Sequence, residues 1–411
     1  MNEQPERRRD LDFYRGFTVV QMVAAHLLMY SRSPMRPDET VRLFFLGYAE
    51  IFSAGFLMLA GINVDRAIRN AEADPRFNLS RFYFLTSLGL FFMGWSYNLL
   101  EGTGPYTSVV QAIGIGVLVT YLVLRVGFPN WSLPIVAGLF LVNYYLAIGS
   151  RLTIDPGVHS HFFWNLLIGN GMMTKAGLAN LWPAPYLFCM FGIIPTSGFV
   201  LLGVFIERLK GKALFAACVL FTAMAIVSHF MPGLAFNNET HTVLRADMKF
   251  LMQILPLYTG WLLTFRYLYP KTERTKIKAA VERFGRLSLD FLIFHWIFIV
   301  AVTLFTPFLE KMPSFSARQI IRAIVVLFLL YLVLPRFDAW RRRVSQKPHF
   351  LLIAWGLLLG GFLVCMLAIL ERVFLFKALG AGLAAVVFAL MYPAQRESWR
   401  KSSFRKAKVE T

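Results

Sequence analysis

The sequence predicts an all-α fold, a polytopic integral membrane helix bundle of about 11–12 transmembrane helices, and three observations predict it. First, 57% of the 411 residues are hydrophobic and only 16% are charged, whereas soluble domains average about 25% charged. The mean hydropathy is accordingly positive, +0.56. Second, the apolar runs are continuous and about twenty residues long, the length a helix needs to cross a hydrocarbon core about 30 Å thick. Barrel strands would instead alternate in polarity over about ten residues. In lipid the backbone polar groups must be satisfied internally, which leaves helices. Third, most of the 42 Lys and Arg stand in alternate gaps between the runs, the positive-inside pattern.

The runs place helices at 12–31, 42–62, 82–100, 107–125, 131–149, 186–206, 213–231, 250–269, 287–306, 318–334, 350–370 and 376–392. Glu371, Arg372 and Lys377 bracket a tight turn, so 350–392 reads as two full spans or as a re-entrant hairpin. With the N-terminus inside, the inner segments hold Arg7–Arg9, Arg66–Arg81, Arg125, Arg208–Lys212, Lys271–Arg286, Arg336–Lys347 and the tail 393–411. Both termini are then cytoplasmic, and the tail is basic charge beside anionic lipid. Two outer segments are long, 150–185 with His159, His161, Trp164 and Trp182, and 232–249. The net charge of +19 forms no compact basic domain, so no nucleic-acid partner is expected. Cys189, Cys218 and Cys365 fall inside apolar runs, as small core residues do. A signal peptide is not expected at the N-terminus, because no small-residue cleavage site follows Tyr30.

The candidate chemistry begins at Asp12-Phe-Tyr-Arg15-Gly16 and the apolar run that follows, broken by His26. Eleven helical steps from Arg15 carry His26 about 16 Å, past the middle of the bilayer core. An ionisable side chain that deep is a functional-site hypothesis by default. Glu50 and Gln111 fall at a similar depth on the second and fourth helices, within about 6–12 Å of the outer surface. A carboxylate in that layer would orient the imidazole and raise its basicity, and His26 would take a proton from an acceptor amine or hydroxyl. A structural polar cluster holding three helices together accounts equally for that layer. His295, in the ninth helix, is a second candidate. Arg15, Asp290 and Arg266 fall near the inner surface, where guanidinium groups match phosphate oxygens, or simply snorkel to the head groups. No HExxH occurs, and no metal is expected. Walker A, GxGxxG and GxSxG motifs are also missing from the sequence.

Four segments make the chain resemble the transmembrane acyltransferase superfamily, and most of all the bacterial relatives of heparan-α-glucosaminide N-acetyltransferase. They are Leu11-Asp12-Phe-Tyr-Arg15-Gly16 with its spacing to His26; Glu50 eleven residues before Gly61; Val109-Val-Gln111-Ala-Ile-Gly114; and Gly285-Arg286-Leu-Ser288-Leu ending at His295. The human-type enzymes carry asparagine where His26 stands, the usual aspartate is Glu50 here, and Leu292 replaces a tyrosine. The resemblance implies a membrane acyltransferase domain over 1–392, with a core at 11–306. It implies transfer of an acyl group, usually acetyl, from cytoplasmic acetyl-CoA or another acyl-CoA to an extracytoplasmic sugar or glycan amine or hydroxyl. The transfer would run directly or through an acyl-histidine, in a bacterial inner membrane. His26 and Glu50 would be catalytic. Asp12, Arg15, Gln111, Arg266 and His295 would bind the substrates, and Trp164 would stack on a sugar ring. A homodimer stays open as the assembly state. The alternative is a proton-coupled transporter or flippase with His26 and Glu50 as its coupling pair. The missing internal repeat counts against it.

Overall fold

A computed structural model describes residues 8–29, 55–69, 78–100, 109–127, 135–139, 142, 193–230, 248–271, 273, 275–312, 315–347, 349–370 and 379–392. Glu50, Trp164, most of the expected span 131–149, the outer segment 150–185, residues 232–247 of the other outer segment and the tail 393–411 lie outside them. The described residues form helices and no strand. In chain order these are α1 (Arg9–Met29), α2 (55–69), α3 (Leu79–Leu100), α4 (Val109–Arg125), α5 (Ile193–Arg208), α6 (Lys212–His229), α7 (Met248–Tyr267), α8 (Lys276–Arg286), α9 (Ser288–Phe305), α10 (Phe315–Val344), α11 (Phe350–Leu370) and α12 (Leu379–Tyr392).

The side chains are distributed as in a membrane bundle. Ser288–Phe305 and Ala317–Val344 are long and apolar enough to cross a bilayer, and several shorter apolar helices accompany them. Phe215, Leu220, Leu304, Phe305, Ile324, Phe328, Leu352 and Leu367 are exposed, while Asp12, Asp65, Gln111, His295, Arg318 and Arg322 are buried. A water-soluble chain would not expose so many large apolar side chains while burying so many polar ones. In lipid the apolar face turns outward and polar groups turn to the bundle interior.

The chain forms two compact units. The first comprises Met1–Phe56, Gly211–Ile226 and Met252–Trp340. In it α1 and α8 cross backbone to backbone and run antiparallel. A methyl added at Gly16 would sit 1.8 Å from the carbonyl oxygen of Val281, and one at Gly285 would sit 1.6 Å from that of Asp12. Only a residue without Cβ fits either place. On its flank α1 meets α7 through a seam of rings. Phe13, Tyr14 and Phe17 pack on Phe265 at centroid distances of 5.2, 5.3 and 5.4 Å, and Phe17 packs edge-on against Trp261 at 5.3 Å.

The second unit comprises Leu57–Lys210, Val227–Leu251 and Arg341–Thr411. Here α2 and α5 repeat the glycine crossing. A methyl at Gly61 would lie 1.7 Å from the carbonyl oxygen of Val200, and one at Gly203 would lie 1.9 Å from that of Met58. One turn along, the buried Asp65 takes Arg208 Nη2 at 2.6 Å and Arg69 Nη2 at 2.7 Å. The serine Ser87 donates to the Gly114 carbonyl at 2.8 Å and ties α3 to α4. Gln111 is buried on the same seam, over Gly94.

Two elements depart from the sequence reading. The basic stretch 271–286, expected as an inner loop, contains α8. Its start is capped by Thr275, whose side chain accepts from the Lys278 amide at 3.1 Å. It buries Glu282, Phe284 and Gly285 and leaves Ile277 and Arg286 exposed. The expected span 318–334 is part of a longer helix that continues through Pro335 to Val344. A proline removes one helical hydrogen bond, and neighbouring helices make this tolerable in membrane segments.

Gly16→Ala and Gly285→Ala each force the crossing apart. Each is expected to destabilise the folded protein by about 1–3 kcal/mol or more, seen as a fall in Tm. Gly356→Ala, where no atom lies within 4 Å, leaves Tm unchanged or raises it slightly. Equal Tm values for all three variants would contradict the close crossing.

Candidate active site

The site grows out of the α1/α8 crossing. A single residue, Leu287, caps the end of α8 and the start of α9. Its amide donates to the carbonyls of Arg283 and Phe284, both at 3.2 Å. With Gly285 pinned on α1, α9 therefore leaves from a fixed point. Two turns later it presents His295 to α1.

His26 lies in the last turn of α1. Its Nδ1 is 2.9 Å from Nε2 of His295, and the two rings stack with centroids 5.1 Å apart and planes 17° apart. Trp296 covers the same imidazole, at 4.7 Å and 29°. His295 is fully buried, and its Nδ1 lies 3.2 Å from the carbonyl oxygen of Phe291, one turn back.

These contacts assign the protons. A carbonyl oxygen only accepts, so Nδ1 of His295 carries the hydrogen. In the neutral ring Nε2 of His295 is then the acceptor. With both rings neutral, His26 donates to it from Nδ1, and Nε2 of His26 carries no hydrogen. A proton taken there would place a positive charge under the Trp296 ring, an arrangement that favours a cation. The chain Phe291 carbonyl, His295, His26 thus has the shape of a general base held in one tautomer by a buried partner.

The other expected site residues are distributed as follows. Asp12 is buried, and Arg15 Nη1 donates to its Oδ1 at 2.9 Å. This pair stands beside the crossing, since the Asp12 carbonyl is the group that faces Gly285. Arg266 is half-buried in the last turn of α7, next to the Phe265 ring seam. Asp290 is buried in the first turn of α9. Gln111 belongs to the second unit and Glu50 and Trp164 lie outside the described residues, so the three-helix polar layer is not part of the geometry described. Sequence reasoning named both histidines but did not pair them. It missed Trp296 and the Phe291 carbonyl; their signal was proximity to His295, one position after it and four before it.

The family model described as heparan-alpha-glucosaminide N-acetyltransferase, catalytic, matches residues 7–212. The chain belongs to this family. Its helices therefore form a membrane acetyltransferase, and the matched segment contains Asp12, Arg15, His26, Glu50 and Gln111. Arg266 and His295 lie beyond the match. A search of curated proteins found no match.

Removing the buried partner separates positioning from packing. His295→Leu is expected to lower kcat by about 10²-fold with little change in KM. His295→Gln, which retains an acceptor near Nδ1 of His26, should recover part of that loss. Steady-state kinetics on both variants check this, and equal activity in the two would contradict the assigned hydrogen bond.

Proposed function

We propose that this chain is a multi-pass enzyme that moves an acetyl group from cytoplasmic acetyl-CoA to an amine or hydroxyl of an extracytoplasmic sugar or glycan. The observation that carries the reading is the His26–His295 hydrogen bond in a chain of an acetyltransferase family. In the reaction Nε2 of His26 takes the proton from the acceptor as its nitrogen or oxygen attacks the thioester carbonyl. A C–N or C–O bond forms, the C–S bond breaks, and the imidazolium returns its proton to the departing CoA thiolate. His295 holds the ring through Nδ1 while the charge comes and goes. Positioning the thioester beside the base supplies the remainder of the rate.

The donor's phosphates fit the basic end of the first unit. Arg15 is held by Asp12 with a defined direction, and Arg266 and the lysines of α8 add positive charge. Guanidinium groups meet phosphate oxygens in bidentate fashion. In this proposal Glu50 joins His26 as the second catalytic group. The resemblance to bacterial relatives implies a bacterial inner membrane, and the distribution of Lys and Arg supports cytoplasmic termini.

Full-length protein in lipid nanodiscs with radiolabelled acetyl-CoA and a panel of amino sugars and neutral sugars tests the reading. Label should pass to at least one sugar. His26→Ala should reduce the transfer by about 10²–10⁴-fold while Tm and the elution profile stay those of the native protein. Native turnover by a folded His26→Ala protein would remove the mechanism.

A further inference from the structure

Beyond the glycine crossing of the second unit, the last turns of α2 and α5 meet at one buried carboxylate. Asp65 is 1% exposed. Arg208, the final residue of α5, turns both its Nε and its Nη2 hydrogens to a single oxygen, Oδ1, at 3.2 and 2.6 Å. Arg69, one turn after Asp65 on α2, brings Nη2 to 2.7 Å from the other oxygen, Oδ2. That oxygen accepts no hydrogen bond. Arg69 therefore lies against Asp65 by charge, with its N–H groups aimed elsewhere.

The charges in this cluster do not cancel. One carboxylate faces two guanidinium groups, so one positive charge is left over. Arg66 and Glu207, their neighbours in sequence, are engaged in contacts of their own. The link between the helices needs Arg208, and Arg69 is a cation beyond that need. Both arginine side chains reach outward, 30% and 46% exposed, while the carboxylate that holds them is buried. A guanidinium carries five N–H donors in a planar fork. The Nη1 edge of Arg208 and the fork of Arg69 thus remain open. Long side chains normally lose rotamer freedom when they take up an anion. Here Asp65 has ordered them beforehand.

We propose that Arg69 and Arg208, oriented by Asp65, seat a phosphate group. Its unbridged oxygens take the open edges of the two forks in bidentate fashion, and its charge balances the surplus. The phosphodiester of an anionic lipid such as phosphatidylglycerol offers these oxygens, and so does a soluble phosphate. Phosphatidylcholine carries its own cation and answers the surplus charge poorly. This site belongs to the second unit, is separate from the histidine pair and does not rest on the acetyl-transfer reading.

Full-length protein in an uncharged detergent is melted with phosphatidylglycerol, with phosphatidylcholine, and with inorganic phosphate against chloride of equal ionic strength. Phosphatidylglycerol or inorganic phosphate should raise Tm by about 2 °C or more, and phosphatidylcholine by less than half as much. A rise with phosphatidylglycerol alone assigns a lipid head group, and a rise with inorganic phosphate assigns a soluble phosphate. Arg69→Gln leaves the Asp65–Arg208 link in place and should abolish the rise. Arg69→Lys keeps the charge and loses the fork, so it folds even where Arg69→Gln does not, and it should at least halve the rise. Arg125→Gln, at an exposed residue ending α4, retains it. No rise with either probe, an equal rise with phosphatidylcholine, an undiminished rise in the folded Arg69 variants, or a loss of the rise in Arg125→Gln overturns the proposal.

Discussion

Two carbonyl oxygens lie where side chains would otherwise be. The Val281 carbonyl fills the space over Gly16, and the Asp12 carbonyl fills the space over Gly285. In lipid no hydrophobic force draws one apolar helix to another, so association depends on close van der Waals approach and on polar contacts. Backbone contact is the closest approach available. From it follow the direction of α8, the departure of α9 after the single residue Leu287, and the arrival of His295 at His26. The second unit uses the same device where Gly61 and Gly203 join α2 to α5, and there the Asp65–Arg208 ion pair locks it.

The histidine pair suits its surroundings. A carboxylate behind the base would add a charge at a depth where charge is expensive. A neutral histidine still fixes the tautomer and keeps the resting pair uncharged. In the proposed reaction Trp296 would offer its ring face as His26 becomes cationic. Such a base would deprotonate, in the proposed reaction, the amine or hydroxyl about to receive the acetyl group.

The fold class was legible because membrane helices declare themselves by length and continuous apolarity. The expected 250–269, 287–306 and 350–370 agree closely with α7, α9 and α11. What stayed hidden was α8. Its contact with α1 is made by a glycine and by backbone atoms, which leave no hydrophobic signal among the five charged residues of α8, such as Lys276, Lys278 and Arg283. The continuation of α10 past Pro335 was hidden because proline reads as a stop, although packing overrides it. At the site both histidines were named from the sequence, and Gly16 and Gly285 were quoted as motif letters. Their roles as contact points, and the pairing of residues 269 positions apart, are three-dimensional facts that depth along separate helices cannot supply.

The direct test of the account is the protonation pattern of the two rings, read by solid-state NMR on protein labelled with ¹⁵N-histidine in bilayers, with His26→Asn and His295→Asn used to assign the signals. The account predicts hydrogen on Nδ1 of both neutral rings and a coupling across the bond from His26 Nδ1 to His295 Nε2. Hydrogen on Nε2 of His26, or no coupling between the rings, would contradict it.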